Sequence, residues 1–308
     1  MNRREMVAGL TLCPVALPRA SSPREEDRPR FAVTIDDFRI EDDPLMSGAG
    51  KHRAILDALE ATGIKAGGFV AGRFVDNPAG PTHLASWSEA GHAIGNHTHA
   101  HAYYGGAAPG DLGADIDKAA ALLADYPTLR PWFRFPYLAE GGTREAREAM
   151  RGVLRSRGLL NAHVTIDASD WYVDQRLRER LKTSPDADPA PYGAYLVRHL
   201  LDRAAFYDRL ARDVLGYSPP HTLLLHHNLI TALFLPDVLA AFHAAGWQAI
   251  DADDAFAHPV FRAVPDITPV AHSLIWQLAR AEGRFEARLR SPGEDGRYEK
   301  PAMDALGL

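Results

Sequence analysis

The sequence is poor in several features that would each define a class of protein. Its 308 residues include one cysteine, Cys13, so an intramolecular disulfide framework is excluded. No apolar run approaches the roughly 20 residues that span a bilayer. The net charge is −6 and basic residues form no block, which argues against a nucleic-acid partner. No serine or cysteine stands in a recognisable nucleophile motif, so any hydrolytic chemistry must activate water by other means.

The remaining composition is that of an ordinary globular protein. Hydrophobic residues make up 46% of the chain and charged residues 24%, which is enough apolar material for a sizeable core. The length fits one large α/β domain, and we find no internal repeat and no low-complexity segment. The sequence leaves the oligomeric state open.

The N-terminus differs from the rest of the chain. Arg3 and Arg4 precede a modest apolar stretch, 6–17, which is followed by small residues. This order is typical of a secretory signal, and the paired arginines with weak hydrophobicity resemble the twin-arginine type. We therefore predict that residues 1–30 are an export signal and linker, and that the protein is periplasmic or extracellular. A disordered N-terminal tail is the alternative.

Apolar runs and amphipathic stretches alternate along the rest of the chain, which indicates a parallel sheet with covering helices. Region 172–220 departs from this alternation and is predicted to be a helical insertion before the last strands, with a helix over 195–215. Pro236 and Gly246 bracket the last predicted helix. The pattern predicts strands over 31–35, 66–71, 93–96, 132–135, 162–166, 223–225 and 247–250, and helices over 51–62, 111–126, 143–157 and 237–245.

Polar residues that could carry chemistry follow the ends of several predicted strands. They are Asp36 with Asp37, His97, Arg134, the stretch 167–171 and His226. A barrel gathers the carboxyl ends of its strands around one mouth, whereas an open doubly wound sheet spreads them along a line. The pattern therefore favours a barrel.

Three imidazoles within five residues, at 97, 99 and 101, make up the most informative stretch. His97 and His101 are four residues apart, so on one helical turn they would point the same way, and His99 would lie on the opposite side. Imidazole nitrogen and carboxylate oxygen suit a catalytic divalent metal. An aspartate pair such as Asp36-Asp37 alone is more typical of a turn or a helix cap. Beside two histidines, one aspartate could bind the metal while the other acts on water, which predicts a metal-dependent hydrolase.

Five ordered motifs carry a resemblance to a known family. Between 31 and about 251, the chain resembles the NodB-type polysaccharide deacetylases (carbohydrate esterase family 4). This resemblance implies that 31–308 form a distorted (β/α) barrel of about seven strands. It also implies that metal-bound water hydrolyses the N-acetyl group of N-acetylglucosamine-containing poly- or oligosaccharides. The motifs are Thr34-Ile35-Asp36-Asp37, His97-Thr98-x-x-His101, Arg134-Phe135-Pro136-Tyr137, Asp167-Ala168-Ser169-Asp170-Trp171 and Leu224-Leu225-His226.

The first three motifs resemble the metal and base positions of the family. The resemblance implies that Asp37, His97 and His101 bind the metal, with zinc expected and cobalt as the alternative. It further implies that Asp36 is the general base and that Arg134 pairs with it and keeps it ionised.

The remaining positions resemble the acid and the substrate pocket. His226 would be the general acid that protonates the leaving amine, with Asp170 holding its tautomer. Tyr137 would contribute a backbone N–H to the oxyanion, and Trp171 and Leu224 would line the pocket for the acetyl methyl group.

The chain also departs from the family pattern. Ile35 replaces a more usual aromatic residue, His227 stands where an aspartate is common, and 172–220 is longer than is typical. We expect His226 rather than His227 to be the acid. Two alternatives stay open: a hydrolase of the same fold that cleaves another non-peptide C–N bond in a small amide or imide, and a non-catalytic carbohydrate-binding relative.

Overall fold

The computed structural model describes residues 28–106, 108–290 and 294–308. Nearly all of the predicted export signal and linker, including Cys13, lies outside the described residues. No helix in the described ranges combines the length and apolarity that a membrane span requires.

In the described chain, seven parallel strands form one curled sheet in the order β5-β4-β3-β2-β1-β6, with β7 paired to β1. The predicted distorted (β/α) barrel of about seven strands is thereby confirmed. The strands are β1 (Arg30–Asp37), β2 (Gly67–Val70), β3 (Ala93–Asn96), β4 (Leu129–Phe133), β5 (Leu160–Asn161), β6 (Pro220–His226) and β7 (Gln248–Ala249).

One irregular segment, 160–166, closes the barrel. Its first residues pair with β4, and Ile166 forms a single parallel bridge with Leu223 of β6. The predicted continuous strand over 162–166 is therefore wrong. Because this segment leaves one neighbouring strand to reach the other, side-chain hydroxyls supplement its few backbone bonds: the N–H of Thr222 donates to Thr165 Oγ1 at 2.7 Å, and the N–H of Thr165 donates to Thr222 Oγ1 at 3.1 Å.

Helices follow most strands and cover the barrel. The described helices are α1 (Gly48–Thr62), α2 (Gly72–Val75), α3 (Gly80–Glu89), α4 (Pro109–Leu123), α5 (Arg144–Ser156), α6 (Asp170–Thr183), α7 (Ala190–Leu215), α8 (Leu229–Ala244), α9 (Ala252–Ala257), α10 (Leu274–Glu282) and α11 (Gly296–Ala305), with short 3₁₀ helices at Pro136–Leu138, Pro259–Arg262 and Glu286–Arg288.

Helix α8 begins eight residues earlier than the sequence pattern predicted, at Leu229. Asn228 caps it, since its side-chain oxygen accepts the N–H of Thr231 at 2.9 Å. Pro236 lies inside the helix rather than at its first position, so that part of the prediction is wrong. The apolar run 229–235 conceals the helix start, because a buried helix and a buried strand look alike over so few residues. Gly246, with φ 86°, follows its C-terminus as expected.

The predicted helical region before β6 consists of α6 and α7, which pack against each other and against α8. Leu196, Leu200, Ala204 and Leu210 are fully buried along α7. Helix α6 begins at Asp170, within the fourth motif, so one end of this helix pair lies at the mouth of the barrel.

Strand register brings the motifs to one edge of the sheet. Asp36 pairs with His226 of β6 on one side and with Phe69 of β2 on the other. Further along the sheet, Val70 pairs with Asn96 and Asn96 with Phe133. The residues that follow these positions therefore emerge together at the carboxyl ends of the strands, where active sites of such barrels lie.

Gly68 of β2 permits a close approach that supports this edge. A Cβ at this position would lie 2.6 Å from Phe38 Cζ and 2.9 Å from Trp87 Nε1. We expect Gly68→Ala to lower the free energy of unfolding by about 1–3 kcal/mol through overpacking, measured by urea denaturation. Gly110→Ala is the matched control, because a Cβ there meets nothing within 4 Å. An equal loss in both variants would contradict this packing argument.

Candidate active site

The side chains of Asp36 and Asp37 reach the same cavity because the backbone at Asp37 departs from strand geometry. Neighbouring side chains on a strand point to opposite faces. Asp37, however, has φ 76° and Phe38 has φ 62°, both in the left-handed region. As a result Asp36 and Asp37 both line the cavity at the mouth of the barrel.

Asp36 is held by a buried guanidinium. Arg134 Nη1 donates to Asp36 Oδ1 at 2.6 Å and to Thr34 Oγ1 at 2.9 Å, while its Nε donates to the carbonyl of Ala162 at 3.0 Å. The guanidinium also lies over the ring of Phe69, 3.8 Å from the centroid. Both charged side chains are almost fully buried, so each compensates the other. Removing either one would leave an uncompensated buried charge and destabilise the fold.

Asp37, His97 and His101 converge on one point. Their ligand atoms all lie within 4.8 Å of one another. His101 Nε2 lies 3.0 Å from Asp37 Oδ1, and His97 Nε2 lies 3.7 Å from the same oxygen. Although burial opposes ionisation, the neighbouring His101, His226 and His97 lower the pKa of Asp37 far below its usual value. The aspartate is therefore a carboxylate at neutral pH.

The protonation of His97 shows that this cluster suits a cation. Its Nδ1 faces the carbonyl of Arg134 at 2.8 Å, so Nδ1 carries the proton and donates. Burial lowers the pKa of His97 to about 4, and its Nε2 therefore presents a lone pair toward Asp37. Asp37 Oδ1 is buried and accepts no well-formed hydrogen bond within the described chain. Lone pairs facing one another at this distance fit a divalent cation between them.

The histidine loop reaches this arrangement without the predicted helical turn. Thr98 has φ 63° and His101 has φ 52°, and neither belongs to a helix. The N–H of Thr98 donates to Asn96 Oδ1 at 2.8 Å, a local side-chain bond that competes with helix formation. The prediction of a helical turn is therefore wrong, although the two rings do converge.

His99 lies away from the cluster, as expected. Its Nε2 is 3.1 Å from Asp76 Oδ2, and its backbone N–H donates to Asp115 Oδ1 at 3.1 Å. The same Asp115 oxygen accepts the N–H of Ala100 at 2.8 Å, so α4 anchors the loop between the two converging rings.

His226 is paired with a fully buried carboxylate. Its Nδ1 donates to Asp170 Oδ1 at 2.8 Å and its backbone N–H donates to Asp170 Oδ2 at 2.9 Å. This leaves Nε2 as the nitrogen available to the cavity. Burial alone would lower the pKa of His226, but the charge and hydrogen bond of Asp170, aided by Asp37 and Asp36, raise it to about 10.

His227 faces the opposite way and does not line the cavity. Its Nδ1 donates to the carbonyl of Arg39 at 2.9 Å, and its Nε2 lies 3.1 Å from His52 Nδ1. Burial, together with the charges of His52 and Lys51, lowers the pKa of His227 to about 3. At neutral pH the His227 ring is therefore neutral and carries a proton on Nδ1 alone.

The cavity has a volume of about 530 Å³. Leu224 is buried in its wall, Trp171 is 39% exposed at its rim, and Tyr137 is 58% exposed beside His101, with 4.9 Å between ring centroids. All ten site residues predicted from the sequence lie at or directly behind this cavity: Asp36, Asp37, His97, His101, Arg134, Tyr137, Asp170, Trp171, Leu224 and His226.

Other lining residues were given no role from the sequence, although Asp167 belongs to the fourth motif. Arg39 contributes its Nε, 3.3 Å from Asp37 Oδ2. Asp167 and Glu294 also face the cavity, and burial raises their pKa values to about 7 and about 8. One face of α6 supplies five more lining residues. These residues follow Trp171 at the three- and four-residue spacing of one helix face, which is the signal that the sequence offered. They are Asp174, Gln175, Arg178, Glu179 and Lys182.

The fold is a distorted parallel barrel with an aspartate–histidine cluster at its mouth, and the sequence can be compared with known families. The sequence profile described as Polysaccharide deacetylase matches residues 24–153. The predicted resemblance to NodB-type polysaccharide deacetylases is therefore confirmed. No curated protein sequence matches the chain significantly.

Several solved structures share the fold. The chitin deacetylase from the fungal pathogen Colletotrichum lindemuthianum is 17% identical with a TM-score of 0.51, and the match covers 74% of this chain and 88% of that one. A mutant of a CE4 family pseudoenzyme with restored enzymatic activity is 18% identical with a TM-score of 0.50, covering 75% of this chain and 68% of that one. The wild-type pseudoenzyme is from Bacillus anthracis. At these identities the likeness shows the fold.

Metal content tests the proposed ligands directly. We expect Asp37→Ala and His97→Ala to lose bound zinc, because each removes one of three converging ligand atoms. His99→Ala is the matched control from the same loop and should keep wild-type zinc content, measured by elemental analysis after dialysis. Full zinc occupancy in either of the first two variants would remove that residue from the ligand set.

Proposed function

We propose that this protein is a divalent-metal-dependent deacetylase that hydrolyses the N-acetyl group of N-acetylglucosamine-containing poly- or oligosaccharides. One observation carries the proposal: a carboxylate and an imidazole, each held by its own buried partner, face the same cavity as the converging side chains of Asp37, His97 and His101. Amide hydrolysis needs such a division, because a base must activate water and an acid must protonate a poor leaving group.

Asp37, His97 and His101 would hold the metal, with zinc expected and cobalt as the alternative. A divalent cation bound there lowers the pKa of water and polarises a carbonyl oxygen. The proposed contribution of these three side chains is to supply two imidazole nitrogens and one carboxylate oxygen that already lie within 4.8 Å of one another.

Asp36 acts as the general base in this proposal. Arg134 Nη1 donates to Asp36 Oδ1 and fixes that oxygen, so the second oxygen, Oδ2, is the one that accepts a proton from water. Both partners of this ion pair are buried, so each compensates the charge of the other.

His226 acts as the general acid. Asp170 holds the proton on Nδ1, which leaves the Nε2 proton to be donated to the amine as the C–N bond breaks. The raised pKa of His226, about 10, means that the imidazole is protonated and ready to donate at neutral pH.

The cavity wall supports the substrate assignment. Leu224 and Trp171 offer an apolar surface for the acetyl methyl group, and the backbone N–H of Tyr137 is the proposed donor to the oxyanion. Trp171 and Tyr137 are also exposed aromatic rings at the rim, where an apolar face of a sugar can pack.

We further propose that the chain is exported, on the basis of Arg3, Arg4 and the apolar stretch 6–17. N-terminal sequencing of the protein from the periplasm or the medium tests this, and a full-length protein confined to the cytoplasm would contradict it.

Two alternative functions are compatible with the same fold. A non-catalytic relative would bind sugar without releasing acetate, and a small-amide hydrolase would leave glycans intact. Acetate release from a panel of N-acetylated glycans, with and without a chelator, separates the three. We expect release that the chelator abolishes; binding without release, or release only from small amides, would contradict the proposal.

The Asp36→Asn variant separates base catalysis from metal binding. The amide keeps the shape of the side chain but cannot accept the proton, so we expect kcat to fall by about 10²–10⁴-fold while zinc content is unchanged. Near-normal acetate release by a zinc-loaded Asp36→Asn protein would refute its role as the base.

The pH profile of Asp170→Asn tests the acid. Activity requires protonated His226, so it persists below the pKa of this group and falls as the pH rises through that value. Removing the Asp170 charge should lower the pKa of His226 and move the basic limb of kcat/KM down by about 1–3 pH units. A bound cation would offset the contributions of Asp36 and Asp37 to the raised pKa of His226, but not the contribution of Asp170. Asp76→Asn, which removes the partner of His99, should leave the limb in place; an unshifted limb in Asp170→Asn would contradict the assignment.

A further inference from the structure

The turn that presents both proposed catalytic carboxylates is strained. Asp37 and Phe38 are consecutive non-glycine residues with φ 76° and φ 62°. Such residues persist in the left-handed region only where the surroundings hold them there. The contacts around this turn therefore indicate which residues keep Asp37 in place.

His227 holds the turn at three points. Its backbone N–H donates to the carbonyl of Asp36 at 3.0 Å, and its Nδ1 donates to the carbonyl of Arg39 at 2.9 Å. Its ring stacks on Phe38, with 5.3 Å between centroids and 25° between planes. His227 thus contacts the residues on both sides of Asp37 although it does not line the cavity.

The two hydrogen-bond partners of the His227 ring determine its tautomer. Because the carbonyl of Arg39 can only accept, Nδ1 of His227 carries the proton and Nε2 carries a lone pair. His52 Nδ1, 3.1 Å away, must therefore donate to it. His52 Nε2 then accepts from Ser86 Oγ at 3.0 Å, so the hydroxyl hydrogen goes to His52 rather than to the carbonyl of His83.

The hydrogen-bond chain ends at the carbonyl of Arg39, and the side chain of the same residue contacts the proposed metal ligand Asp37. Arg39, whose carbonyl His227 holds, donates from Nε to Asp37 Oδ2 at 3.3 Å. That contact leaves Asp37 Oδ1 turned toward His97 and His101. Groups that orient a ligand from behind in this way tune its affinity for the metal.

We propose that His227 and His52 are positioning residues for the metal ligand Asp37. Through Arg39 and the strained turn, the Ser86–His52–His227 chain keeps Asp37 Oδ1 directed at the two imidazoles. The inference rests on the proposed metal-dependent function, and it gives a role to the histidine that stands where an aspartate is common in similar sequences.

Two pairs of substitutions test the proposal. His227→Leu and His52→Leu remove the hydrogen bonds but keep apolar volume, whereas His227→Asn and His52→Asn offer an amide near the position of Nδ1. His92→Leu is the matched control. His92 is also buried, packs on Trp87 at 4.6 Å and accepts the N–H of Ala66, but it does not contact the turn.

The primary measurement is the zinc dissociation constant of the metal-free proteins, obtained by competition with a chromophoric chelator. We expect the two leucine variants to bind zinc about 10–100-fold more weakly, the two asparagine variants to recover most of the affinity, and His92→Leu to match the wild type. On glycan substrate, the leucine variants should lose kcat with an unchanged KM, because neither histidine lines the cavity.

Wild-type zinc affinity in a folded His227→Leu or His52→Leu protein would overturn the proposal, and so would an equal loss in His92→Leu. If His227→Leu does not fold, the His52 pair decides alone. Zinc affinity is measured without substrate, so a wild-type protein that binds zinc but releases no acetate would overturn the proposed function and leave this test intact.

Discussion

The convergence of one carboxylate oxygen and two imidazole nitrogens is the constraint on which the rest of the site depends. Asp37 Oδ1 lies 3.0 Å from His101 Nε2 and 3.7 Å from His97 Nε2, and the Arg134 carbonyl fixes the His97 lone pair toward it. Electron pairs assembled so closely in a buried position repel one another unless a cation lies between them. The strained turn at Asp37 and the irregular histidine loop both serve to make this convergence.

Two buried ion pairs lie at the same cavity. Arg134 donates to Asp36 Oδ1 at 2.6 Å, and His226 Nδ1 donates to Asp170 Oδ1 at 2.8 Å. The register of β1 and β6 places Asp36 directly beside His226. In the proposed function, these two pairs supply the base and the acid that amide hydrolysis requires.

Much of this arrangement could be predicted from the sequence, because it depends on residue type and strand ends. The parallel barrel and the gathering of the motifs at its mouth follow from the alternating pattern and from chain order. The conformation of the histidine loop could not be predicted, since Asn96 and Asp115 impose it through contacts that spacing does not reveal. The split strand at 160–166 likewise depends on pairing with two different neighbours. The motif favours His226 over His227 as the acid, and the structure separates the two histidines, because His226 contacts Asp170 whereas His227 is buried against His52 and Arg39.

X-ray absorption at the metal edge of the zinc-loaded protein tests the central claim most directly. The account predicts two imidazole nitrogens and one carboxylate oxygen at about 2.0–2.2 Å from a single zinc ion. A spectrum that lacks imidazole scattering, or a protein that retains no zinc after gel filtration, would contradict it.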